Sequence, residues 1–301
     1  MARLRVLVLG SAAGGGFPQW NCRCPICCLA WAGDPRVTAR TQSSLAVSAD
    51  GKAWLLLNGS PDLRQQIMST PALQPKGEAR STPIAGVFLT NGDVDHIGGL
   101  LSLREQQPFT LYGSQTTLSL IAKGSIFGVL DPRVVKQIPV GIDQIIGPQA
   151  GLTLRPFAVP GKVPLFLEGE TVEIAETETT VGLEIAAGGK RLVYVPGCAD
   201  LNAGLVARLS GADLLFFDGT TFTDDEMVRL GLSPKTAARM GHLAIDGPRG
   251  SLERLAKVQI GRKVYIHINN TNPVLVAGSP ERRKVEAAGW EIAYDGMEIV
   301  L

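Results

Sequence analysis

The chain has 301 residues, and 29 Lys+Arg against 28 Asp+Glu leave a formal charge of +1. That balance excludes the basic excess of a nucleic-acid binder. With 45% hydrophobic and 19% charged residues the chain is also no disordered protein, because it buries enough apolar surface to offset its ordering entropy.

Along the chain, Leu4–Leu9 is an apolar run suited to a buried strand. The start, MARLRVLVLG, carries no secretory signal, and the apolar runs fall far short of the ~20 residues a membrane span needs. The expected location is therefore the cytoplasm, with no membrane insertion and one domain over 1–301. The glycine run from Gly10 to Gly16 continues into Phe17-Pro18-Gln19-Trp20. It lacks helical periodicity and a Gly-Lys-Ser/Thr ending, so it is expected to let the backbone pass close to a site rather than cradle a phosphate. Ser44–Ser48 and Ala53–Asn58 flank Asp50-Gly51, a hairpin signal. Ser60-Pro61 predicts a helix start leading into Asp62–Met68. Ile84–Leu89 reads as a strand and Gly98–Glu105 as helical. Further strands are expected at Leu152–Val159, Gly182–Ala186, Arg191–Val195, Asp213–Asp218 and Lys263–Ile268. Helical patterns occupy Asn202–Leu209, Leu252–Lys257 and Pro280–Ala288, and Asp295-Gly296 is expected to close a last hairpin. Strands outnumber helices, and hairpins mix with strand–helix units. The pattern fits a two-sheet α/β (α+β) sandwich flanked by helices, not a uniformly parallel sheet.

Four of the five cysteines crowd into Cys22, Cys24, Cys27 and Cys28. A disulfide framework spreads its cysteines to close long loops, whereas clustered thiols without a signal peptide read as a metal site in a reducing compartment. Cys22, Cys24 and Cys27 can converge on one tetrahedral ion, for which zinc is the usual occupant, and such a sulfur-rich closed site is structural. The fourth ligand is left open, with Asn270 and His242 as candidates.

The second signal is TNGDVDHIGG, Thr90 to Gly99, whose polar groups emerge at the C-terminal end of a strand. Its Asp-His-x-Gly-Gly tail resembles the His-x-His-x-Asp-His motif of the metallo-β-lactamase superfamily. Later segments match in order. Tyr194–Asp200 ends on Asp200 at the place of the superfamily's bridging carboxylate; LLFFDGTTF (214–222) resembles its next strand and turn, Gly241-His242-Leu243 its GHL-type loop, and His267 its last metal-binding histidine. The resemblance implies an αββα sandwich. Asn91 and Asp93 stand where the two leading histidines belong, and the chain has only His96, His242 and His267. Asp95, His96 and His267 remain, with Asp200 or Asp93 as an adjustable carboxylate. This is the 2-His-1-carboxylate set of non-haem Fe(II) oxygenases. His242 is expected to do acid–base work, and Asn91, Asn269 and Asn270 to orient ligands or bind substrate.

Taken jointly, GSAAGGGFPQWNCRCPIC, TNGDVDHIGGLLSLRE, DGTTF with MGHLAI, and HINNTNP closely resemble the family of pyrroloquinoline quinone (PQQ) biosynthesis proteins B, over residues 10–273. That resemblance implies a part in converting a Glu- and Tyr-containing peptide precursor into the quinone, alongside other PQQ biosynthesis proteins. It also carries an alternative, a carrier that moves PQQ or its precursor towards the periplasm. The expected chemistry is Fe(II)- and O2-dependent hydroxylation of the precursor's tyrosine ring, with a separate structural Zn(II). A metal-dependent hydrolase is the less favoured class, because its hydroxide is gripped between two ions and Asn91 and Asp93 make the first ion's site poor.

Overall fold

Strands that are apolar at consecutive positions are stable only where both faces of their sheet are covered. A computed structural model describes residues 3–77, 79–169 and 174–301, and in it two seven-stranded sheets cover each other on one face and are capped by helices on the other. The first sheet is built from β1 (Arg5–Gly10), β2 (Ser44–Ser48), β3 (Trp54–Leu57), β4 (Ile84–Phe88), β5 (Phe109–Gly113) and β6 (Val135–Pro139). The second contains β7 (Ile146–Gln149), β8 (Leu152–Gly161), β9 (Ala175–Ala187), β10 (Lys190–Val195), β11 (Ala212–Asp218), β12 (Ile260–Ile266) and β13 (Trp290–Ile292). The chain then returns to the first sheet as β14 (Glu298–Val300), beside β1. This is the α/β sandwich of the metallo-β-lactamase fold that the sequence leads one to expect.

Period-two alternation assigns the faces. Val6, Val8, Leu45, Val47, Leu55 and Leu57 meet Leu183, Ile185, Leu192, Leu214, Phe216 and Val264 between the sheets. Their neighbours Leu7, Leu9, Ala46 and Leu56 point the other way, under α2 (Leu63–Ser69), and Val193, Leu215, Phe217 and Tyr265 do so on the far side. Within each sheet an antiparallel half gives way to a parallel one, at β3–β4 and at β10–β11. The carboxyl ends of β3, β4, β10, β11 and β12 therefore open towards one edge of the sandwich, and the polar segments of the sequence follow these ends.

The Asp50-Gly51 hairpin forms, pairing Leu45 with Leu57 and Val47 with Leu55. Two local expectations are corrected. The helix expected over Asp62–Met68 runs one residue later, because the Asp62 carboxylate accepts from the Gln42 backbone N–H and Nε2 rather than capping its own helix. Asp295-Gly296 closes no hairpin, since β13 and β14 lie in different sheets. Asp295 instead accepts from Ser11 Oγ and from Thr41 N and Oγ1. Among the described residues no helix is long and apolar enough to cross a membrane.

The glycine pair after His96 has a steric origin. Gly59 N–H donates to the His96 carbonyl and Gly99 N–H to the Gly59 carbonyl, so two backbones cross here. A Cβ on Gly99 would lie 2.0 Å from Ser60 O and 2.7 Å from Leu63 Cβ, whereas one on Gly98 would meet only the Pro61 ring, at 3.2 Å. Gly99→Ala is expected to destabilise the fold by about 2–3 kcal/mol through overpacking, and Gly98→Ala by less than about 1 kcal/mol. Urea unfolding measures both; equal midpoints for the two variants would contradict this packing.

Candidate metal centres

Each functional side chain sits where a strand ends and the chain turns. After β4, Asn91 and Asp93 precede α3 (Val94–Ile97), which carries Asp95 and His96. Asp218 ends β11, and His267 directly follows β12 with a left-handed φ of 60°. Gly14, from the early glycine run, packs against Asp95: a Cβ there would lie 3.4 Å from Oδ2. The backbone does pass close to the site.

His96 is the centre of the arrangement. Its ring is buried, and Nδ1 donates to Asn91 Oδ1 over 2.6 Å. That bond fixes the tautomer and leaves the Nε2 lone pair free. Nε2 is buried and has no hydrogen-bond partner, yet Asp95 Oδ2 stands 4.0 Å away. His267 Nε2 lies 3.0 Å from the same carboxylate oxygen. One ligand atom each from Asp95, His96 and His267 falls within 4.8 Å of the others, a spacing that one ion can gather. Burial holds His96 below its ordinary pKa and so neutral, as a metal ligand must be. For His267 burial acts in the same direction, but the bond from Asp95 and the nearby carboxylates outweigh it and raise the pKa.

A second group, Asp218, His242 and His267, also meets the spacing of a metal site, but its atoms already satisfy one another. His267 Nδ1 bonds Thr220 Oγ1 at 2.8 Å, Thr220 Oγ1 donates to Asp218 Oδ1 at 2.6 Å, and His242 Nδ1 donates to Asp218 Oδ2 at 2.8 Å. Asp218 is fully buried, and burial, which alone would raise its pKa, is outweighed by His242, His267 and Thr220. The group is a relay that orients His267 and holds His242 at the cavity wall.

Two expectations are corrected. Asp200 does not reach the centre: its carboxylate pairs with Arg254 at 2.6 Å and Arg249 at 3.5 Å, and the carboxylate grouped with His242 and His267 is that of Asp218. Asp93 is engaged elsewhere, accepting from Asn91 Nδ2 and from Leu165 N. It thereby ties the turn after β8 to the loop carrying the ligands. Asn269 lines the same cavity as Asp95, His96 and His267, and its amide donates to Thr271 Oγ1 and Met227 Sδ. Asp218 was missed in sequence, although an Asp closing the uninterrupted apolar run Leu214–Phe217 is a signal for a functional carboxylate.

The cysteines form the other centre. Cys22, Cys24 and Cys27 Sγ atoms lie within 4.8 Å of one another, all buried, at the start of α1 (Pro25–Trp31). Of the two candidates for a fourth partner, Asn270 arrives. Its amide lies 3.1, 3.8 and 3.3 Å from the three sulfurs. His242 belongs to the other centre. Cys28 turns away, its Sγ against the Arg23 carbonyl.

Comparison with known proteins places this geometry. A model of the β-lactamase superfamily domain matches residues 53–268. Coenzyme PQQ synthesis protein B of Methylobacterium radiotolerans is 58% identical over 99% of this chain and the whole of the relative. The crystal structure of Zn(2+)-bound PqqB from Methylobacterium extorquens superposes with a TM-score of 0.97 at 56% identity, covering 99% of this chain and 100% of that one. A diphosphatase of the PhnP family matches with a TM-score of 0.69 at 21% identity over 99% and 97% of the two chains, a likeness of fold alone.

One buried acid secures the loop behind His267. Glu226, at the start of α6 (Glu226–Arg229), accepts from Phe222 N at 2.7 Å and Thr271 Oγ1 at 2.5 Å. Burial raises its pKa from 4.5 to about 7, against the lowering effect of those bonds. The folded state thus holds this proton more tightly than the unfolded chain. The associated stability is fully present below pH 4.5 and is lost as pH rises through about 7. Glu226→Gln keeps an acceptor and removes the titration. The wild type is expected to lose roughly 2–3 kcal/mol relative to this variant between pH 5 and 8. Parallel urea-unfolding curves across that range would contradict it.

Proposed function

The chain belongs to the coenzyme PQQ synthesis protein B family of the β-lactamase superfamily, and from that premise we propose that it inserts oxygen into the tyrosine ring of a Glu-Tyr-type peptide precursor. The observation that carries this reading is the buried, unpartnered His96 Nε2 facing Asp95 and His267. Two imidazoles and one carboxylate suit Fe(II) and leave coordination positions open. Held there, Fe(II) would supply the activation of O2. In the reaction a ring C–H becomes C–OH with one oxygen atom of O2. The other leaves as water, formed with two protons from solvent and two electrons from a small-molecule reductant such as ascorbate, which the chain does not supply.

The chain's own residues do the rest. Asn91 locks the His96 tautomer, and Thr220 with Asp218 does the same for His267. His242, held at Nδ1 by Asp218, keeps its other ring nitrogen for exchange of a proton with bound substrate. The cavity bounded by Asp95, His96, His242 and His267 measures about 440 Å³ and has Ala13, Met227 and Met240 among its apolar walls, which suits an aromatic ring. Zinc is assigned to Cys22, Cys24 and Cys27, with the Asn270 amide, turned to present its oxygen, as fourth ligand. Zinc in the Methylobacterium extorquens relative supports that ion. Five free thiols support a cytoplasmic location.

Two tests follow. Elemental analysis after dialysis is expected to show Cys24→Ser without its zinc and with a weakened fold. His96→Ala keeps zinc and loses uptake of a second, exchangeable metal; loss of one and the same ion in both variants would refute two separate centres. Protein loaded anaerobically with Fe(II), given a Glu-Tyr peptide and ascorbate as reductant and exposed to 18O2 is expected to form ring-hydroxylated product carrying the label, and His267→Ala none. Tight peptide binding without product at confirmed iron occupancy would favour the carrier instead.

A further inference from the structure

The cavity wall beside the metal centre carries a cluster of cations that the chemistry above does not use. Glu168 receives three of them: Lys162 Nζ on Oε1 at 2.6 Å, and Lys235 Nζ and Arg239 Nη1 on Oε2 at 3.1 and 3.3 Å. Glu168, Lys162 and Lys235 line the same cavity as Asp95, His96 and His267, and Arg239 joins them from α7 (Ala237–Met240). Among the described residues no other carboxylate lies within 4.0 Å of the three cations.

One lysine would hold Glu168. Counted over the described residues, three leave the cluster two charges positive, with its inner part shielded from water and its outer part half-open: Glu168 is 7% and Lys162 12% exposed, Lys235 34% and Arg239 36%. Excess charge of one sign in a cleft focuses the field on a ligand of the other sign. The cluster is also rigid. The stem of Lys162 lies against Gly241, where a Cβ would meet Lys162 Cγ at 3.0 Å, and the bond from Leu165 N to Asp93 couples the turn to the metal-bearing loop. Asp93 and Asp95 give the metal end of the cavity acidic character, while Lys162 and Lys235 make another part of its wall basic. A ligand with a carboxylate at one end and a neutral ring at the other is oriented by that contrast.

We propose that Lys162, Lys235 and Arg239, organised by Glu168, form a docking subsite for a carboxylate of the substrate, so that the uncharged ring is directed to the metal. The proposal rests on the reading that this cavity is the reaction site. It assigns the carboxylate as the anchor and makes Lys235 and Arg239 determinants of specificity rather than of chemistry.

Binding without turnover separates the two. Calorimetric titration of the Zn(II)-loaded protein under nitrogen uses Glu-Tyr and its carboxylate-free isosteres, Gln-Tyr amide and N-acetyl-Gln-Tyr amide, the second of which is uncharged. Wild type is expected to favour Glu-Tyr by on the order of tenfold or more, the scale of one or two charge-assisted hydrogen bonds. Lys235 and Arg239 are partly exposed, so the double variant Lys235→Met, Arg239→Gln is expected to fold, with an unchanged far-ultraviolet spectrum, and to lose the preference. Lys235→Arg is expected to keep it. Equal affinity for Glu-Tyr and the isosteres in wild type, or a preference that survives the double variant, overturns the subsite. Inorganic phosphate displacing Glu-Tyr at lower concentration than glutarate overturns the carboxylate assignment. Preferential binding that depends on the cluster, with no labelled product from the iron-loaded protein, leaves the subsite standing while the oxygenase reading falls.

Discussion

A buried imidazole nitrogen with no partner costs free energy, and His96 Nε2 is one. The surrounding structure keeps it in place rather than relieving it. Asn91 takes the other ring nitrogen. Behind Asn91, the buried Asn58 accepts from Thr90 N at 2.8 Å and donates to Thr90 Oγ1 at 3.0 Å. Asn58 itself adopts a left-handed φ of 66°, a conformation that asparagine tolerates better than most residues. A polar chain thus runs from Asn58 and Thr90 through Asn91 to the open lone pair of His96 Nε2. On the proposed reading, a metal shared with Asp95 and His267 would satisfy it.

The two centres are mechanically joined. His267 and Asn270 sit three residues apart, one at the cavity and the other on the cysteine sulfurs. Between them, Ile268 is stitched to the N-terminal loop, donating to Ser11 O and accepting from Ala13 N. Glu226 and Asn272 hold the remainder of that segment, through Thr271 and through the Gly219 carbonyl. A zinc bound by three thiolates and Asn270 would therefore fix the loop from which His267 projects. This explains how a structural ion can bear on a reaction it does not touch.

Much of the fold was legible because its strands are buried on both faces and read as uninterrupted apolar runs, as in Leu192–Val195 and Leu214–Phe217. Candidate ligands are legible where chemistry crowds into a few residues: Asp95 and His96 beside the glycine pair, and the three cysteines in six positions. Less visible were elements whose character comes from their neighbours. The helix Gln115–Lys123 (α4) carries only a weak sequence signal, and Asp200 and Asp218 look alike in sequence. Both aspartates follow apolar strands. Only the packing shows that Arg254 neutralises the first, while the second is enclosed and must bond Thr220 and His242. The roles of Asp93 and Asn269 were hidden for the same reason: their partners, Leu165 and Met227, come from distant turns.

On the proposed reading one iron, and no pair of metals, belongs at the junction of His96, Asp95 and His267. Crystals grown anaerobically with Fe(II), with anomalous difference maps recorded on both sides of the iron edge, locate it directly. The account predicts a single iron peak bonded to His96 Nε2, His267 Nε2 and the Asp95 carboxylate, with the Asp218–His242 contact intact. A peak between Asp218 and His242, or two adjacent iron peaks, would contradict it.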